Sequence, residues 1–321
     1  MRWPPKPWLA PLLAAALLAS AVAAVGAARQ PGPLHSLIIA AGGRGGVYHA
    51  YGQALVAAAR KAYPEVHSDV LTTAASVENL RMVADGRADV GFALADAAAL
   101  AVGGDGPFVT VQPLRALAFL YDNYTQLVVR AESPIKTVAD LRGRTVSLGA
   151  LGSGTELVAG RILTATGLRP TDLQAVHLDL SSSVTALADG AIAAFFFSGG
   201  LPTPAIGDLA TRIAIRLVAL GGLAPTLRAE YGDFYAEWAI PATVYDLPGE
   251  VATIRVPNYL VVRADMPDDV AYTIVDLLFR AKAELVAAHP EALHLDPRSA
   301  VDTFPLKLHP GARRYYRDAK P

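Results

Sequence analysis
Ser153-Gly154-Thr155-Glu156 spells a capping box, in which the serine accepts from the amide three residues on and the glutamate reaches back to the serine's own amide. The cap explains Ser153 and Glu156. It does not explain why Gly152 and Gly154 strip the same loop of side chains, which a close approach of backbone to a ligand would explain. Ser76 followed by Asn79 reads similarly, as a helix cap first and a ligand contact second. Asp96 suits either the cap of a short helix starting at Ala97 or a receptor for a ligand amine. Gly42-Gly43-Arg44-Gly45-Gly46 is no dinucleotide fingerprint, because the third glycine of a G-x-G-x-x-G starting at Gly43 would fall on Tyr48. It remains a tight strand-to-helix turn or a ligand loop through Gly45 and Gly46, with Tyr48 its best-placed side chain. Arg44 could pair a carboxylate bidentately, and an exposed loop arginine is the competing reading.

Catalytic patterns are weak. No G-x-S-x-G elbow occurs, and none of the seven histidines has H-E-x-x-H spacing. His289 and His294 flank Pro290 and read as surface-loop residues, and His309 before Pro310-Gly311 reads as structural. Cysteine is absent, which excludes disulfides, thiolate metal sites and cysteine nucleophiles. No metal and no cofactor is expected. Lys plus Arg is 28 against 29 Asp plus Glu, a net charge of -1 with no basic stripe, so no nucleic-acid partner is expected.

These residues need a scaffold, and the chain reads as alternating strands and helices. Strands are expected at 34–41, 66–71 and 88–93, with helices at 48–62 and 76–84 between them. Two further strands are read at 114–119 and 125–130. A second series follows: a short helix at 137–141, strands at 145–148, 174–178 and 193–197, and helices at 153–167 and 183–187. Strands around Pro257 (251–263), one long helix at 268–288 and a closing helix after Pro310-Gly311 complete the chain. The β-α-β order implies an α/β fold with two parallel-rich sheets flanked by helices. Ligands in such folds sit outside the carboxyl ends of the strands. The loops at 42–48, 72–76, 94–96, 150–155 and 198–202 hold those positions, and helix N-termini there offer unbonded N–H groups to an anion.

The 321 residues suggest two domains, and 53% hydrophobic against 18% charged residues excludes a disordered chain. Residues 1–28 read as a secretory leader: Arg2 and Lys6 and no acid, an almost wholly apolar stretch from Leu9 to Val25, then small residues, with cleavage near Ala27 or Ala28 and Ala23 the alternative. An uncleaved anchor is the competing reading, short for a span.

The segments GGVYHAYGQAL (Gly45–Leu55), ASVENLRMVADGRADVGFALAD (Ala75–Asp96), LRGRTVSLGALGSGTE (Leu141–Glu156), DGAIAAFFFSGGLPTPAI (Asp189–Ile206), YGDFYAEWAIP (Tyr231–Pro241) and LHPGARRYY (Leu308–Tyr316) appear in an order and spacing that resembles the TAXI family. These are the solute-binding proteins of tripartite ATP-independent periplasmic (TRAP) transporters. The resemblance implies a type II-like periplasmic-binding-protein fold of two lobes with the ligand cleft between them. Lobe one is expected at 29–130 and 255–321, lobe two at 131–254, with crossovers near 125–133 and 253–259. It also implies a periplasmic, monomeric protein that captures a small organic acid or amino acid of the glutamate or 2-oxoglutarate kind by lobe closure. The partner would be a TRAP permease with small and large subunits, sometimes fused. The site residues carried over are Gly45, Gly46, Tyr48, Ser76, Asn79, Asp96, Ser153, Gly154, Thr155, Ser198, Gly199 and Gly200. This chain departs from the family pattern with Ala75 for a common glycine, Val47 for a threonine, an apolar Phe92–Ala95 run and Ala194 for an acid. The first three make the pocket less polar and leave room for a less polar carboxylate. Other readings of the same cleft are a ligand-reading partner of a sensor kinase, an ATP-driven importer's binding protein and a periplasmic enzyme.

Overall fold
The computed structural model describes residues 34–319. The expected leader lies outside the described residues. No helix among those described is long and apolar enough to cross a membrane.

The first half of the chain builds β1 (Ser36–Ala40), α1 (Val47–Ala62), β2 (His67–Leu71), α2 (Ser76–Ala84), β3 (Val90–Leu94), α3 (Ala95–Gly103) and β4 (Leu114–Arg130). A second series gives β5 (Thr145–Ser147), α4 (Gly154–Ala165), β6 (Gln174–Val176), α5 (Leu180–Ala188), β7 (Ala194–Gly199), α6 (Pro204–Arg212), β8 (Ile215–Val218), α7 (Ala224–Tyr231) and β9 (Ala236–Ile240). The chain returns through β10 (Val251–Arg263), α8 (Asp268–Arg280), α9 (Lys282–Ala288) and α10 (Pro310–Asp318).

One ten-stranded mixed sheet runs in the order β2-β1-β3-β10-β4-β7-β5-β6, with β8 on β4 and β9 on β10. The two expected parallel sheets are present as its ends: β1 pairs in parallel with β2 and β3, and β5 with β6 and β7. They are not separate, because β4 and β10 are antiparallel to each other and each runs through both halves. The segments read as two strands at 114–119 and 125–130 are one strand of 17 residues. Its polar middle, Asp122 and Asn123, stays extended because β10 pairs with it there. Two register shifts in that pairing, at Asn258/Tyr259 and Leu260/Val261, bend the ribbon, as bulges do. Pro257 is tolerated mid-strand. It falls between the β9-paired and β3-paired stretches of β10, where that edge has no partner strand to bond.

β3 is buried at all five positions, as suits a central strand covered by helices on both faces. Under the first half of the sheet, Leu37, Ile39 and Phe92 pack with Tyr51 and Leu55 of α1 and Ile274 and Leu278 of α8. Under the second half, Phe195 and Val128 pack with Leu209 of α6 and Leu187 of α5.

Three expectations change. The helix read at 268–288 breaks at Ala281, whose ψ of 11° turns the chain so that α9 packs on α1. The helix read from Ser183 begins at Leu180. His289 is no surface residue. It is 2% exposed, its Nδ1 accepts from the Glu291 amide, and its Nε2 therefore carries the proton that bonds Pro202 O at 3.0 Å.

Candidate functional site
The glycine loops and serine-led helices of both halves of the sheet open onto one pocket of about 680 Å³, part of it open to solvent. Four helices begin there, and each leaves its first amides without acceptors. The α1 N-terminus offers Val47 and Tyr48, and Gly46 at its N-cap has no side chain to bond them. The α2 N-terminus offers Ser76 and Val77. The α4 N-terminus offers Gly154 and Thr155, because the Ser153 hydroxyl takes the Glu156 amide at 2.9 Å. The α5 N-terminus offers Leu180 and Ser181, because Asp179 Oδ1 takes the Ser182 amide at 2.7 Å. Two of these helices come from each half, so their N-terminal partial charges face one space.

The side chains around them are hydroxyls and apolar groups, with one carboxylate, Asp179. Tyr48 stacks on Phe92 at 5.1 Å between ring centroids, and its hydroxyl accepts from Asn123 Nδ2 at 3.0 Å. Burial raises its phenol far above the ordinary value, so it is a neutral donor at any physiological pH. Ser198 is 8% exposed, lines the pocket, and its buried Oγ has no partner in the protein. Its amide donates to Thr155 Oγ1 at 3.1 Å. Leu94, Leu178, Phe196 and Phe197 form the apolar wall. No lysine, arginine or histidine is among the lining residues.

The halves meet across this pocket. The Glu78 amide donates to Gly152 O at 3.1 Å, and Ser181 Oγ bonds Arg44 O at 3.4 Å. Beyond the rim, Asp96 on α3 binds Arg161 on α4. Asp96 Oδ2 lies 3.1 Å from Arg161 Nη1 and 2.5 Å from the Tyr235 hydroxyl, with Asp96 and Tyr235 fully buried. Burial pushes the Asp96 carboxyl up, against the opposing pull of Arg161 and Tyr235. Arg161 also lies over the Tyr231 ring at 4.5 Å.

The residues carried over by resemblance divide. Gly46, Tyr48, Ser76, Ser153, Gly154, Thr155, Ser198 and Gly199 line the pocket. Gly45, Asn79, Asp96 and Gly200 do not. Gly45 has φ +81° and turns the first loop toward Ala205. Asn79 is fully buried, with Nδ2 tying Ala41 O, just past β1, to Phe92 O in the middle of β3. Asp96 spends itself on Arg161 and Tyr235 and sits within α3, not before it. Gly200 backs onto Glu291. Residue reading missed Asp179, although an aspartate three residues before Ser182 is a helix-start signal. It also missed Phe196 and Phe197, which look like plain strand core in sequence.

The NMT1-like family model matches residues 39–319, from the end of β1 through the last helix. The chain belongs to the NMT1-like family. Among solved structures, the NMT1-like chain resembles a protein from Bordetella bronchiseptica RB50 at 20% identity. That match covers 89% of this chain and 90% of that one, with a TM-score of 0.53. It also resembles an ancestral arginine-binding protein bound to arginine, at 13% identity over 81% of this chain and 98% of that one, TM-score 0.51. A weaker likeness, 18% identity over 89% and 84% with TM-score 0.47, is to the periplasmic aliphatic sulphonate binding protein SsuA from Escherichia coli. At these identities the first two show the fold alone: α/β, a mixed sheet flanked by helices, in two lobes.

Proposed function
We propose that this protein is an extracytoplasmic solute-binding protein that closes two lobes on a small organic acid or amino acid. The observation that carries the reading is the pocket itself. Amides at two helix N-termini from each half, with the unpartnered Ser198 hydroxyl, face a space lined by no cationic side chain. Such a cradle holds a carboxylate by oriented N–H groups. It makes its full set of contacts only when the halves are together, so ligand favours closure through that difference. The lobes would be 29–130 with 255–321, and 131–254, hinged where β4 and β10 pass between them.

The TAXI resemblance supports delivery to a TRAP-type permease in the membrane, after export directed by residues 1–28. The arginine-bound structural neighbour is in keeping with an amino acid as cargo. The reading is tested by thermal unfolding of the protein against a panel of small carboxylates and amino acids. A ligand at 100 times its Kd adds about 2.7 kcal/mol of stability. A selective shift for one chemical class supports solute capture, and no shift across the panel contradicts it.

A further inference from the structure
The pocket is an anion cradle at one rim and carries a negative charge at the other. At the first rim the starts of α2 and α4 abut. A Cβ placed on Gly154 would stand 2.6 Å from Ser76 Oγ. The amides of Ser76, Val77, Gly154 and Thr155 gather there. Glu78 and Glu156 are nearby, but neither lines the pocket, and their carboxylates bond the Ala74 and Gly152 amides. At the second rim, the start of α5 abuts the first glycine loop through Ser181 Oγ and Arg44 O. Asp179 lines the pocket there. Asp179 is exposed to solvent; its Oδ1 is used by the Ser182 amide, and its Oδ2 has no protein partner among the described residues.

A carboxylate with one oxygen unspent, in a pocket without a lysine, arginine or histidine, repels an anionic group and attracts an ammonium. Resting on the solute-binding reading, we propose that Asp179 is a specificity-determining residue that receives the ammonium of the ligand, so that the cleft selects an apolar α-amino acid over its 2-oxo analogue and over dicarboxylates. The carboxylate of such a zwitterion meets the α2 and α4 amides and the Ser198 hydroxyl. Its side chain lies on Leu94, Leu178, Phe196 and Phe197. A second carboxylate on the ligand would meet either that wall or Asp179, with no cation to pair it.

Asp179→Asn separates charge from structure, because asparagine caps a helix as well as aspartate does. Calorimetric titration at pH 7.5 compares leucine, valine and phenylalanine with their 2-oxo counterparts and with glutamate, and an unchanged unfolding midpoint of the variant shows that the cap survives. In the unsubstituted protein at least one amino acid of the three is expected to bind tenfold or more tighter than its 2-oxo acid and than glutamate. In the variant that ratio is expected to fall to near one, mostly through weaker amino-acid binding. Equal or tighter binding of the 2-oxo acid or of glutamate, or a ratio that Asp179→Asn leaves unchanged, overturns the role of Asp179 and leaves solute capture standing. Binding of no member of this set or of the wider acid panel overturns both.

Discussion

Gly154 and Ser76 belong to opposite halves of the sheet, yet there is no room between them for a methyl group. A Cβ on Gly154 would meet Ser76 Oγ at 2.6 Å and Leu94 Cδ1 at 2.7 Å. Glycine at this position therefore answers a close approach of two helix starts, not a backbone angle, since its φ is not among the positive ones. Gly154→Ala is expected to leave each half folded and to prevent full closure. The measurement is the Kd of whichever solute stabilises the unsubstituted protein. A tenfold or greater loss with an unchanged circular dichroism spectrum is expected, and unaltered affinity contradicts the role of this contact.

Asp96 and Arg161 form a buried clasp between α3 and α4, completed by Tyr235. Removing one partner strands the other as a buried charge, at a cost of about 3–5 kcal/mol. Arg161→Met should approach that cost. Asp96→Leu combined with Arg161→Met should recover much of it, because two apolar groups leave no stranded charge. Chemical denaturation of the single and double variants measures the coupling. Additive losses would show that the two side chains act independently.

Ala75 is held at φ +94°, ψ -139°, a region that side chains other than glycine rarely occupy. It is the N-cap residue of α2, and its position is set from both sides: Asn79 N bonds its carbonyl, and its amide donates to Thr73 Oγ1. Such strain costs of order 1–3 kcal/mol. Glycine relieves it and gives back part of the gain as unfolded-chain entropy. Ala75→Gly is expected to stabilise the protein by about 1 kcal/mol, read as a higher unfolding midpoint. A lower midpoint contradicts the assignment of strain.

How much of this was legible in the sequence depends on what each residue faces. The helix at 76–84 was read to the residue, because Ser76 opens it and Asp85-Gly86 closes it. The two expected parallel strand sets were likewise plain from β-branched runs and glycine loops. The continuous β4 was not, since polar residues at 122 and 123 look like a break when the partner strand that holds them, β10, lies far along the chain. In the site, serine and glycine at the loop ends were readable as pocket material. Asn79 and Asp96 were not separable from it. Whether a polar side chain at a helix start turns to the cleft or to a buried partner is decided by three-dimensional packing: the backbone just past β1 and within β3 for Asn79, and Arg161, 65 residues away, for Asp96.

Glu291 supplies a pH dependence. It is 3% exposed, and burial pushes its carboxyl up to about 7 from 4.5. The Leu201 amide pulls the other way, and the Asp122 charge adds to the rise. His294 Nε2 lies 3.6 Å from its Oε2. The folded protein then binds this proton more tightly than the unfolded chain does. The Glu291 contribution to stability is therefore neutral below pH 4.5, declines as pH rises toward 7, and reaches a loss of about 3 kcal/mol above it. Glu291→Gln keeps an acceptor for Leu201 and removes the titration. Denaturation at pH 5 and pH 8 should show the variant gaining on the unsubstituted protein at the higher pH. An equal difference at both values contradicts the buried-acid account.

The central claim is that one solute is held by amides from both halves at once. Residue-resolved amide hydrogen exchange, with and without a saturating solute found by the unfolding panel, tests it most directly. Protection is expected together at Val47 and Tyr48, at Ser76 and Val77, and at Gly154 and Thr155. Protection confined to one half of the sheet, or lying away from these helix starts, contradicts the account.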